Sequence, residues 1–188
     1  MRRFACFAFT AALTAFPALA DEFTDTLEGA IKAYREGDVS GAREDLDYAG
    51  KLLTAMKSEA LDKFLPAAQP GWTREAAAED AAAAGGFMGM LGGGTSAAAT
   101  YVKGTETLTI TLVADSPMVN GLGAMISGMA GLGGGKPLRI QRTEFTSQDD
   151  ALQGVVNDRV MVSVTGDAPL EDMVAHLEAM DFKALGSF

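Results

Sequence analysis

His176 is the only histidine in the 188-residue chain, and it lies four residues after Asp172. A carboxylate at that spacing could orient an imidazole for hydrolysis. No Gly-x-Ser-x-Gly elbow supplies the nucleophile. On a helix His176 falls about 100° from the apolar stripe, so the bland expectation is a solvated histidine beside a carboxylate. The carboxylate pairs Glu79-Asp80 and Asp149-Asp150 are adjacent rather than alternating and lack calcium-loop spacing. "AGLGGGKP" approaches a phosphate loop at Gly135-Lys136. Ala130 replaces its first glycine, however, and Pro137 its Ser or Thr. The remaining candidate ligands are thioethers: Met88-x-Met90 and Met125-x-x-x-Met129 could hold Cu(I), with no Cys or second His beside them. This inventory implies no cofactor and no enzyme; a hydrolase resting on His176 is the remaining catalytic alternative.

The methionines belong to two charge-free segments. Ala81–Val102 and Ser116–Gly135 together hold 13 of the 22 glycines. The first contains "GGFMGMLGGG", residues 85–94. The second, from Pro117 to Gly135, puts Met118, Leu122, Met125 and Met129 on one helical face. Three internal glycines cost that helix about 1 kcal/mol each relative to Ala. Three readings stay open: core-covering chain, a Cu(I) site, or an adaptable apolar binding surface. In the last reading Phe87, Met88, Met90, Leu91, Met118, Leu122, Met125 and Met129 contact an apolar ligand, a membrane edge or a protein partner.

Composition narrows the setting. Arg2-Arg3, the apolar run Phe4–Leu13 and Ala18-Leu19-Ala20 before Asp21 predict a signal peptide over residues 1–20 and export to a periplasm. The lone Cys6 falls inside it, so the mature chain has no disulfide or thiolate. Beyond residue 20 stand 13 basic and 25 acidic residues, a formal charge of −12. Nucleic acid would be repelled. The Gly/Ala-rich segments bury too little area to make a membrane span in the mature chain.

The elements that would position these residues are legible from pattern. Phe23, Leu27, Ile31 and Tyr34 mark a first helix closed by Gly37. Asp38 or Ser40 caps a second, from about 40 to 65, striped by Leu46, Ala49, Leu53, Met56, Ala60 and Phe64. Residues 21–66 are thus expected as a helical hairpin and 67–188 as an α+β domain. "PGW" at Pro70–Trp72 opens the first strand. Thr107, Thr109 and Thr111 alternate with Leu108, Ile110 and Leu112 in the second half of a hairpin turning at Lys103-Gly104-Thr105. "LRIQRTEF" reads as one alternating strand. "ALQGVVND" and "RVMVSVTG" form a hairpin about Asn157-Asp158. A final helix starts at Pro169 with Leu170, Met173, Val174 and Leu177 inward. The expected fold is α+β: an antiparallel sheet of 4–5 strands with helices packed on one face.

Residues Ala30, Tyr34, Gly37-Asp38, Ala42 and Leu46 fall where a tetratricopeptide-type hairpin places small, aromatic, turn and packing residues. Residues 30–49 resemble one such repeat, with no second copy to build a solenoid. The order of elements after Trp72 is similar to small exported sandwiches of the PsbP-like kind. "FLPAAQPGW" and "DSPM" resemble patterns in exported bacterial proteins. None of these resemblances implies an activity.

Overall fold

The computed structural model describes residues 18–76, 94–117, 119, 135–148 and 151–188. They divide into two compact units, residues 1–53 and 54–188. The fold is α+β.

The first unit holds helix α1 (Ala18–Glu36) and most of α2 (Val39–Asp62). Gly37, at φ 86°, ends α1 in the left-handed conformation that favours glycine. Asp38 caps α2, its Oδ1 accepting from the Gly41 amide at 2.9 Å. The helices run antiparallel: the Tyr48 hydroxyl donates to Glu22 Oε1 at 2.6 Å, and Gly29 lies against the Asp45 carboxylate. Small residues close the contact, since Ala30, Ala42 and Ala49 are buried.

The second unit is built on one antiparallel sheet of seven strands, in the order β1-β2-β3-β7-β6-β5-β4. The strands are β1 (Thr73–Ala76), β2 (Thr95–Lys103), β3 (Glu106–Ala114), β4 (Lys136–Ile140), β5 (Thr143–Gln148), β6 (Ala151–Val156) and β7 (Val160–Gly166). The sheet exceeds the expected 4–5 strands for an identifiable reason. "LRIQRTEF" is not one strand but two, β4 and β5, joined by a two-residue turn. Gln141 and Arg142 take φ 47° and 72° there. Tight hairpins of this kind select Asn or Gly, and this turn has neither. The β6–β7 turn does carry the signal, with Asn157 and Asp158 at φ 52° and 54°.

One sheet face carries the core. Leu108, Ile110 and Leu112 of β3, Val162 and Val164 of β7, Leu152 of β6 and Phe145 of β5 are all fully buried. They meet Leu61 and Leu65 at the end of α2 and the C-terminal helices α3 (Leu170–Glu178) and α4 (Phe182–Leu185). Gly154, opposite Phe145 in the register, makes room for its ring: a Cβ there would stand 2.7 Å from Phe145 Cδ1. The other face is threonine-rich, with Thr100 and Thr109 hydroxyls 3.0 Å apart. At one end of that face Val113, Met161 and Val119 form a small second cluster.

The turns hold the C-terminus in place. Gln141 Nε2 lies 3.1, 2.7 and 2.8 Å from the carbonyl oxygens of Leu177, Glu178 and Met180, where α3 ends. Asn157 Nδ2 donates to Gly186 O at 2.9 Å.

Candidate functional site

The residues proposed from sequence for binding, Phe87, Met88, Met90, Leu91, Met118, Leu122, Met125 and Met129, lie outside the described residues. Their flanks are well placed by the register. Antiparallel pairing sets the end of β1, the start of β2, the end of β3 and the start of β7 at one end of the sheet, with Thr95 opposite Ala114 and Ala114 opposite Val160. Both uncharged segments therefore leave the sheet at that end. The second rejoins it at Lys136, the start of β4, which the register sets at the opposite end on the far edge strand. The last residues of the first charge-free run are β2 itself, where Ala99 and Tyr101 are fully buried core. Val119, just inside the second run, packs on Val113 and Met161.

At the departure point Asp115 takes φ 56°. Lys57 Nζ donates to its Oδ2 at 2.6 Å, and Arg159 Nη2 stands 3.9 Å from its Oδ1. Two cations thus hold the carboxylate that precedes the second run.

His176 corrects the expectation of a solvated side chain. It is fully buried, because α3 is rotated so that Met173, His176 and Leu177 face the sheet while Leu170 is 48% exposed. Its ring sits edge-on to Trp72 and Tyr101, centroids 5.2 and 4.7 Å away. Such pairs prefer T-shaped contact, which this aromatic box provides. The Nδ1 atom lies 2.8 Å from the Asp172 carbonyl oxygen, which only accepts, so Nδ1 carries the proton. Nε2 is buried and has no hydrogen-bond partner among the described residues. The Asp172 carboxylate is engaged elsewhere: Lys103 Nζ donates to it at 3.1 Å, stands 3.5 Å from Glu106 and lies over the Trp72 ring. That hydrogen bond to Asp172 holds the Lys103 ammonium above its usual pKa. The acid–base geometry that His176 and Asp172 would need is not formed, since only the backbone of Asp172 meets the imidazole.

The box is braced from below. The Tyr101 hydroxyl donates to Pro66 O at 2.6 Å, and burial pushes the phenol up to about 12. Arg74 Nη2 donates to Asp62 at 2.8 Å. Sequence reading missed this assembly because Trp72, Tyr101 and His176 come from three distant stretches. The one available signal was His176 at i+3 from Met173, which widens the buried arc of α3 beyond the strict apolar stripe.

Near β4 an open groove of about 550 Å³ is lined by Leu138, Pro169, Leu170 and Val174, with Glu171 and Glu178 among its walls. Among the described residues no group of three or more His, Asp or Glu side chains converges on a metal position, and no helix is long and apolar enough to cross a membrane. The chain matches no family model, no curated protein and no solved structure.

Proposed function

We propose that the protein is an exported, periplasmic, non-catalytic binding or accessory protein whose uncharged segments, 85–94 and 117–135, contact an apolar ligand or partner. The observation that carries this reading is the register. It brings the departure points of both segments to one end of a sheet that carries the core on one face. Two stretches that combine glycine, methionine and zero charge thus depart from one end of the same sheet. Backbone freedom and polarizable thioethers suit adaptable apolar contact. The sealed ring of His176 supports a packing role for the one residue with distinctive acid–base chemistry.

The test is liposome flotation and lipophilic-dye binding by the exported protein. The eightfold variant with Phe87, Met88, Met90, Leu91, Met118, Leu122, Met125 and Met129 changed to Ser is the control. Binding that this variant loses supports the reading. Absence of binding, together with strong hydrogen-exchange protection across 85–94, would make these segments ordinary core cover.

A further inference from the structure

The helical hairpin buries the wrong side chains for a self-sufficient unit. Ala30, Ala42, Ala49 and Leu52 are inside, while Ile31, Tyr34, Val39, Leu46 and Leu53 are 51, 71, 66, 55 and 45% exposed. With Tyr48, 46% exposed, the hairpin has six large exposed apolar residues, more than scattered surface hydrophobics.

All but Tyr48 share one face. At 100° per residue, Tyr34 and Ile31 lie on the clockwise side of Ala30, viewed from the start of α1. Leu53, Leu46 and Val39 lie on the clockwise side of Ala42 on α2. In an antiparallel pair of right-handed helices the two clockwise sides point the same way. The anticlockwise sides do so too, and there the hairpin is closed by polar groups: Tyr48 with Glu22, and Asp45 against Gly29. One flank of the hairpin is therefore bridged by polar contacts and the other is an open apolar face.

The width of the apolar arc says what the face is built to meet. On α1 it runs from Ala33 to Ile31, about 160°, and on α2 from the buried Leu52 to Val39, about 140°, wider than the stripe of about 100° that suffices for a single contact. A helix in a four-helix bundle faces two neighbours at once and needs such an arc. The spacing agrees: Ala42, Leu46, Ala49 and Leu53 repeat at four, three and four, the seam of a bundle helix. Only the alanine half of that seam is filled.

We propose that a second copy of this chain docks on this face, pairing two hairpins into a four-helix bundle about a two-fold axis. The rim charges fit self-pairing. Beyond the apolar arc α1 presents Glu28 and Arg35, and α2 presents Arg43 and Asp47, 4.0 Å apart. Each rim carries one charge of either sign, so a two-fold partner can meet every charge with its opposite. A membrane surface of one sign finds no such match. The whole chain is acidic, so repulsion between copies opposes the contact and salt relieves it.

Sedimentation equilibrium of the full exported protein tests the proposal. The expected result is a reversible dimer that tightens with added salt. Leu46→Lys and Tyr34→Lys should each raise the dissociation constant at least tenfold while far-UV circular dichroism keeps its helical signal. Should Leu46→Lys unfold, Tyr34→Lys decides alone, because Tyr34 is 71% exposed and its removal leaves no buried gap. A monomer at every accessible concentration overturns the proposal. So does a dimer indifferent to both substitutions, or a monomer whose same residues instead carry it to vesicles of neutral or anionic lipid.

Discussion

The two units use apolar residues in opposite ways. In the sheet unit the large side chains are inside: Tyr101, Phe145, Leu108, Ile110 and Leu177 are fully buried, and small residues such as Gly154 make room for them. In the hairpin three alanines and Leu52 are inside, while Ile31, Tyr34, Val39, Leu46 and Leu53 face out. Burial of a Leu or Phe is worth about 1.5–3 kcal/mol, and burial of an alanine much less. The sheet unit therefore carries its own stability. The hairpin, taken alone, gains little from its closed side, and its open face is where most of its binding energy is available.

That contrast can be broken by mutation. Phe145→Ala should cost about 3–5 kcal/mol in urea unfolding, because the ring fills the space over Gly154 and stacks 5.7 Å from Phe182. A cost below about 1 kcal/mol would mean that the core around it repacks freely. His176→Ala comes next, at about 2–5 kcal/mol, since it empties the box between Trp72 and Tyr101. His176→Phe sharpens that result: it keeps the ring and removes the buried unpaired Nε2, so stability should stay within about 1.5 kcal/mol of the parent. If Phe fails where His succeeds, the imidazole nitrogens do more than pack. The smallest effect belongs to the hairpin. Tyr34→Ser should change the unfolding free energy of the monomer by no more than about 0.5 kcal/mol, measured at concentrations too low for self-association. A loss comparable with Phe145→Ala would show that the exposed face is part of a shared core.

Most elements were legible from local chemistry. Gly37 and Asp38 marked the break between the helices, and both act as the sequence indicates. The alternation of Thr107 to Leu112 predicted β3 and its buried face, and Asn157-Asp158 predicted the β6–β7 turn. The β4–β5 turn was missed because Gln141 and Arg142 advertise nothing. Their left-handed backbone is stabilised by what Gln141 reaches, the carbonyls at the end of α3, some 36 residues away in sequence. Helix α4 was missed for a related reason. Four residues carry too little periodicity to read, and Asp181 caps it only once Phe182 and Leu185 have a core to enter.

The stripe on α2 shows the same division. Leu46, Ala49, Leu53 and Met56 are correctly one arc of a helix, but Leu46 and Leu53 are exposed and Leu52 is buried instead. Periodicity reports which residues share a face. It is silent on which part of a broad arc a neighbour covers.

Local pattern was thus enough for the α+β class, most strand positions, the helix ends and the depletion of catalytic groups. These depend on residues within a few positions of each other, through propensity, capping and the two-residue alternation of a strand. Packing alone settled the strand order, the burial of His176, the common end from which both uncharged segments depart, and the inversion of the hairpin's apolar face. Each of those depends on contacts between residues tens of positions apart, and no local spacing encodes them.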